Sequence, residues 1–319
     1  MQRRRFIAGL LGAAFGGPFA VRGQAPKTAT IGVLSFENPE PLWTYLRDGL
    51  QDIGYKAKQN IQFEFRSADG NLALLRTQAA ELVQLKVAVI VPYPSPAIAV
   101  AQEVTREIPI VMLAAGDPVG TGLVASLTRP GGNITGTSST TSDLGPKTLE
   151  IVREIVPSLR RVTVLANAND PFTKPLLAQM RQAGEALHLD IQTIMINTPD
   201  ELEPAFQAMK EGRADVVLVQ PSLPRKQVAD LALQHRIPAI APTAGFVMLG
   251  GLMAYSANLK EMARGTAATI DKILKGRSPA DLPIEQPTKF ELIINLKTAK
   301  AIGTEVPPSL LARADQVIE

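Results

Sequence analysis

The chain has 319 residues, of which 45% are hydrophobic and 20% charged, the composition of a soluble protein with room for two domains. It has no cysteine and two histidines, which excludes disulfides, thiol catalysis and thiolate metal sites and leaves little room for a histidine metal cluster. Four arginines and no acid lie in the first 25 residues, so the net charge of +3 becomes −1 without them and does not indicate nucleic-acid binding.

The N-terminal 25 residues have the pattern of an export signal. A basic start at residues 3–5 precedes a short apolar stretch at 6–20, and Gly23-Gln24-Ala25 offers a small-x-small cleavage site. The arginines followed by Phe6 resemble a twin-arginine signal, and an ordinary secretory signal is the alternative. Because no cysteine is available for a lipid anchor, we expect the mature protein to be free in the periplasm.

In chain order, short apolar runs rich in β-branched residues then alternate with amphipathic runs of helical length. Continuous apolar strands separated by helices are typical of parallel sheets covered on both faces. The first half predicts strands at 30–34, 61–65, 87–91 and 108–113, and helices at 43–53, 72–85 and 97–106. The second half predicts strands at 161–165, 191–196, 214–220 and 237–241, and helices at 175–186, 199–211 and 225–235.

The second half restarts the order of the first as an internal repeat. Residues 92–125 align without a gap on residues 221–254, which places Gly116 on Gly245. The alternative is chance likeness between two βαβ units, but the repeat period matches one domain of ordinary size. We therefore predict an α/β fold of two Rossmann-like lobes with parallel sheets. Ligands bind beyond the carboxyl ends of strands in such sheets, so two facing lobes would form a cleft that closes by a hinge.

The candidate ligand-binding residues are polar or aromatic side chains close to predicted strand ends, where hydroxyl and amide groups can bind a small solute and aromatic rings can stack on it. Each of the polar ones also suits an ordinary turn, and Asp117 before Pro118 fits either a turn cap or contact with a ligand amine. The candidates are Ser35, Tyr93, Ser95, Asp117, Thr137, Ser138, Asn167, Asn169, Gln220 and Tyr255.

Catalytic and cofactor patterns are not found in the sequence. Residues 130–133 (Pro-Gly-Gly-Asn) predict a tight turn and lack the glycine spacing of a phosphate-binding or dinucleotide-binding loop. His188 and His235 lie at predicted element ends without nucleophile partners, and Glu201 and Glu203 suit the first turn of a helix. We expect no enzyme activity, no cofactor and no bound metal.

Several motifs follow one another along the chain, among them Gly116-Asp117-Pro118-Val119-Gly120, Arg129-Pro130-Gly131-Gly132-Asn133 and Gln286-Pro287-Thr288-Lys289-Phe290. In this order they resemble the ABC-transporter substrate-binding protein family that includes tryptophan and tyrosine binders. The resemblance implies a type I periplasmic-binding fold, the hinged "Venus flytrap", with three crossings between lobes. One lobe would comprise residues 26–136 plus 256–282, and the other residues 137–255 plus 283–319.

The resemblance also implies a function and partners. We expect a monomeric protein that binds an amino acid or similar organic solute and delivers it to an inner-membrane ABC permease, without nucleic acid. One alternative is a ligand-sensing subunit that docks on a membrane sensor kinase. A periplasmic enzyme is the other alternative, disfavoured by the missing catalytic pattern.

Overall fold

The structure is a computed structural model that describes residues 28–139 and 144–319. The predicted export signal at 1–25 lies outside the described residues. Within the described ranges, no helix combines the length and the apolar character needed to cross a membrane.

The first lobe is built on a five-stranded parallel sheet in the order β2-β1-β3-β4-β5. Strands β3 and β4 are buried along their whole length, as their continuous apolar sequences require. The strands are β1 (Ala29–Ser35), β2 (Ile61–Ser67), β3 (Val89–Tyr93), β4 (Ile110–Ala115) and β5 (Ile134–Ser138), and the helices between them are α1 (Leu42–Asp52), α2 (Leu72–Gln84) and α3 (Ser95–Val104).

The second lobe is built on a seven-stranded sheet in the order β12-β11-β10-β9-β8-β6-β7, which is parallel except for the antiparallel pair β10–β11. Its strands are β6 (Arg161–Asn167), β7 (Asp190–Ile196), β8 (Val216–Val219), β9 (Ala239–Ile240), β10 (Met253–Ala257), β11 (Phe290–Asn295) and β12 (Gln316–Ile318). Its first helices are α4 (Leu144–Ile155), α5 (Thr173–Leu187), α6 (Leu202–Glu211), α7 (Arg225–His235) and α8 (Ala244–Met248).

Helix α9 (Leu259–Leu274) returns the chain to the first lobe, where it packs against α1 and the edge of the sheet at β4 and β5. The Thr266 hydroxyl lies 3.0 Å from the Thr137 hydroxyl of β5. After α9, Glu285 pairs with β5, donating its N–H to the Gly136 carbonyl at 2.9 Å. The chain then enters β11 of the second lobe and closes with α10 (Leu296–Ile302) and α11 (Pro308–Leu311).

Each sheet is covered by apolar clusters on both faces. In the first lobe, Leu46 of α1 and Ile270 of α9 lie on one face, and Leu82 of α2 lies on the other. In the second lobe, Leu177 of α5 and Phe206 of α6 belong to clusters on opposite faces. The carboxyl ends of the strands are therefore left to form the site between the lobes.

The α/β fold of two parallel-sheet lobes predicted from the sequence is confirmed. The predicted strands and helices are present within about three residues at either end, with residues 199–201 forming a 3₁₀ turn before α6. The sequence analysis placed no elements at β5, α4, α8 or in the region from β10 onward.

Candidate functional site

Both lobes border one cavity with an empty volume of about 550 Å³, which we call the inter-lobe cavity. Small-molecule binding sites occur preferentially at such interfaces between domains. The wall comes from strand ends and helix starts of both lobes, namely Leu42, Tyr93, Pro94, Ser95, Ala114, Gly116, Ser139, Asp170, Phe172, Pro221, Pro242, Thr243, Ala257, Leu259 and Met262.

Asp170 is the acidic group of this wall and is only 6% exposed. It follows β6 by three residues, and its carboxylate accepts the Phe172 N–H at 2.8 Å just before α5 begins. Burial raises the pKa of Asp170 to about 6, although Ser222, the Phe172 N–H and Gln220 act in the opposite direction. Among the residues that the structure describes, no cationic side chain forms an ion pair with Asp170. The site thus contains a buried negative charge that a bound cation would stabilise.

Gln220 holds the Asp170 loop in place. Its side-chain carbonyl accepts the Asn167 N–H at 2.8 Å and the Thr173 hydroxyl at 3.0 Å, and the residue is fully buried. These bonds join the end of β6 to the start of α5 and leave the Gln220 amide group to face Asp170. The acid is therefore carried by a preformed loop of the second lobe.

The first lobe presents the N-terminus of α3 to the same cavity. Ser95 opens the helix, is 2% exposed and accepts the Gly116 N–H on its hydroxyl at 3.3 Å. In this bond the Ser95 hydroxyl is the acceptor, and a hydroxyl can also donate its own proton to a ligand. A helix N-terminus favours negative charge, so this end of the cavity suits an anionic group.

The rest of the cavity is largely apolar. Tyr93 and Phe172 provide aromatic surface, while Leu42, Leu259 and Met262 provide aliphatic surface from α1 and α9. Phe172 lies directly over Gly116 of the opposite lobe, where an added Cβ would stand 2.7 Å from the ring. The two lobes are therefore in contact across the cavity, and glycine at 116 allows that approach.

A second cavity of about 240 Å³, which we call the side cavity, also lies between the lobes. Glu37 of the first lobe and Asn167 and Ser222 of the second line it. Burial raises the pKa of Glu37 to about 7, against the lowering effect of Arg225, and the nearby Asp69 raises it further.

Five of the sequence-predicted site residues line one of the two cavities or form a hydrogen bond with a residue that does. Tyr93 and Ser95 line the inter-lobe cavity, Asn167 lines the side cavity, and Gln220 lies behind Asp170. Ser35 is buried at the end of β1, where its hydroxyl donates to the Glu37 carbonyl.

The other five line neither the inter-lobe cavity nor the side cavity. Asp117 accepts the Gly120 N–H at 2.8 Å in its own turn, and Asn169 is exposed. Thr137 and Ser138 are buried residues of β5 that border a separate cavity with Glu285, and the Tyr255 ring packs 5.9 Å from that of Phe290.

Asp170 was not singled out by the sequence analysis. Asp170-Pro171 has the same local sequence as Asp117-Pro118, and both follow a strand end, so the dipeptide alone does not separate a cavity residue from a turn residue. Leu259 and Met262 were missed because α9 was not predicted. Among residues 28–139 and 144–319, no three His, Asp or Glu side chains group closely enough to hold a metal ion.

Comparisons with a family profile, with related sequences and with solved structures all find substrate-binding or amino acid-binding proteins. Residues 41–318 match the profile of a family described as ABC transporter substrate binding protein. A tyrosine-binding protein of Clostridioides difficile is 30% identical over 262 residues, covering 80% of this chain and 74% of that protein.

Two solved structures are similar over 91% of this chain. One is an ABC domain from Streptococcus pneumoniae in complex with L-Trp, with a TM-score of 0.83, 26% identity and all of that chain covered. The other is the ligand-free, open structure of a substrate-binding protein from Clostridium difficile, with a TM-score of 0.62, 25% identity and 99% of that chain covered. At nearly equal identity, the present structure is thus more similar to the ligand complex than to the open form.

Proposed function

We propose that this chain, which belongs to the family of ABC transporter substrate-binding proteins, binds an α-amino acid with an apolar or aromatic side chain in the inter-lobe cavity. The observation that carries the proposal is Asp170, a buried carboxylate without a cationic partner among the described residues. A ligand ammonium group would supply that partner and form a charge-assisted hydrogen bond.

The opposite side of the cavity suits the carboxylate of the same ligand. The Ser95 hydroxyl and the N-terminus of α3 offer hydrogen-bond donors and a favourable dipole for a negative group. The amino acid side chain would then lie among Tyr93, Phe172 and Met262. This distribution of charge and apolar surface matches the three parts of an amino acid.

The similar proteins support this ligand class. One is described as a tyrosine-binding protein, and the other was solved with L-Trp. The higher TM-score against the L-Trp complex than against the open structure supports closure of the lobes around the ligand. In our proposal the protein acts in the periplasm as a monomer, closes by a hinge, passes its ligand to an inner-membrane ABC permease and performs no chemistry on it.

The test is native mass spectrometry of protein purified from its own host, followed by calorimetry with the twenty amino acids. We expect a co-purified amino acid, or saturable binding of tyrosine, tryptophan or phenylalanine. Binding of sugars or acids without an amino group, with no amino acid bound, would overturn the proposal.

A further inference from the structure

We infer that Arg225 is a latch that holds the two lobes together and sets how long the ligand stays bound. The inference rests on the proposed function, because it concerns retention of a ligand in the inter-lobe cavity. Arg225 itself is not part of that cavity wall.

Within the second lobe alone, the position of Arg225 does not stabilise its positive charge. It is the first residue of α7, where the helix dipole disfavours a positive charge. It is nevertheless only 5% exposed, and it forms no ion pair with a carboxylate among the described residues. A buried cation at the wrong end of a helix requires stabilisation from elsewhere.

That stabilisation comes from the first lobe. The Arg225 guanidinium donates to the carbonyl of Asn38 and, at 3.4 Å, to that of Glu40. The Glu37 carboxylate adds an electrostatic interaction from the same loop. All three residues belong to the segment between β1 and α1, so one side chain of the second lobe holds one loop of the first.

Gly245 of α8 makes room for this contact. An added Cβ there would collide with the guanidinium and would stand 3.3 Å from the Glu40 carbonyl. Gly245 does not have a positive φ, so alanine fits its backbone conformation. Its Cβ would mainly displace the Arg225 guanidinium from the position in which it contacts the first lobe. The latch can therefore be weakened from two independent positions.

Lobe opening would expose the guanidinium to water and break these bonds. The contact thus stabilises only the closed form and contributes to the barrier to ligand release rather than to ligand encounter. Lys226 provides a matched control, because it is exposed and pairs with Asp230 of its own helix.

The experiment uses fluorescence energy transfer between dyes on the two lobes, because the absence of native cysteine leaves engineered thiols as the only labelling sites. Gln84→Cys on α2 and Lys210→Cys on α6 are both exposed. Stopped-flow traces with L-tyrosine and L-tryptophan give kon and koff for the parent, Arg225→Ala, Arg225→Lys, Gly245→Ala and Lys226→Ala.

We expect Arg225→Ala and Gly245→Ala to raise koff about tenfold or more while kon changes less than about threefold. Arg225→Lys should raise koff less than Arg225→Ala does, and Lys226→Ala should have the koff and kon of the parent. The Tm of the ligand-free variants should not fall below that of the parent. Equal koff values for the parent and both latch variants would overturn the latch.

Failure of the proposed function has a different signature, namely no response of the parent to either amino acid. In that case the dye pair is read in ligand-free protein in concentrated sucrose, which favours the form with less exposed surface. A larger compact fraction in the parent than in Arg225→Ala would support the latch, and equal fractions would overturn it.

Discussion

The folded protein stabilises the ionised carboxylate of Asp170 poorly. Its pKa is raised from an ordinary value of 3.8 to about 6, so the folded protein binds a proton at Asp170 more readily than the unfolded chain. The stability gained from that proton is present below pH 3.8 and is lost as the pH rises through 6. At neutral pH the ionised carboxylate therefore weakens the ligand-free fold, which is consistent with a binding role.

The substitution Asp170→Asn separates these two effects. We expect the free energy of unfolding of the ligand-free protein at pH 7 to rise by about 1 to 2 kcal/mol, and this gain to shrink towards pH 4. Amino acid affinity should fall at least about thirtyfold, because the ligand ammonium loses its charged partner. Chemical denaturation and calorimetry measure the two quantities.

Asp117→Asn is the matched control for this prediction, because it changes the same Asp-Pro sequence outside the cavity. It should leave affinity within about twofold of the parent protein. Unchanged affinity in Asp170→Asn would show that the carboxylate does not contact the ligand.

Glu37 predicts a pH dependence of closure. Its pKa is about 7 in this structure, where the lobes are in contact, whereas an exposed glutamate has an ordinary value near 4.5. Closure therefore takes up a proton between these values, so ligand affinity should fall as the pH rises from 4.5 to 7 and become independent of Glu37 above that. Arg225 and Asp69 are the charged groups facing it.

The variant Glu37→Gln isolates this effect, since Asp170 titrates in both proteins. We expect the affinity of Glu37→Gln relative to the parent to increase with pH across the window and then level off. Calorimetry at half-unit pH steps measures the ratio, and a ratio independent of pH would contradict the prediction.

Among the elements, α3 carries the group of the first lobe that we propose binds the ligand carboxylate. Its first residue faces the cavity because β3 ends two residues before it, and Pro96 in the first turn suits a helix start. In our proposal the helix dipole and the Ser95 hydroxyl act together on the ligand carboxylate.

The substitution Ser95→Ala should weaken binding of tryptophan or tyrosine about five- to thirtyfold, the effect of losing a hydrogen bond to a charged group. The affinity for tryptophanamide, which lacks the carboxylate, should fall less in this variant. Competition calorimetry with both ligands tests this, and an equal loss for the two would place the carboxylate elsewhere.

Strands and helices were predicted correctly from the sequence where they pack against elements that are close to them in the chain. Helix α7 is predicted at its observed bounds, because its apolar spacing and the preceding Pro224 are local signals. Helix α9 was not predicted, although Asn258 followed by Glu261 is a local signal of a helix start. Its packing against the first lobe could not be read from the local sequence. Its partners are α1, about 200 residues earlier, and the sheet of the first lobe. Leu259 and Met262 enter the site through that distant packing.

At the scale of the whole molecule, the contact of Phe172 with Gly116 describes a closed pair of lobes. The sequence predicted the two lobes and the place of the cleft between them. It did not indicate which loop residues turn inward, since Asp117 and Asp170 share the Asp-Pro dipeptide and only the folded loops show which of them lines the cavity.

The substitution Gly116→Ala should hinder closure, because its Cβ would meet the Phe172 ring. We expect amino acid affinity to fall about tenfold and the ligand-induced decrease in the radius of gyration to be reduced. Small-angle X-ray scattering with and without ligand measures the change. Gly145→Ala in α4, where the nearest atom is 3.6 Å away, is the control and should close normally; equal compaction in both variants would contradict the prediction.

The position of α9 has a consequence for how the protein is made. Residues 259–274 leave the ribosome after most of the second lobe, yet they cover the sheet formed by residues 29–138. During synthesis that face of the first sheet therefore has α1 but lacks α9 while more than a hundred further residues are added. A chain cut anywhere in that interval would contain every strand of the first sheet and still lack the helix that completes its core.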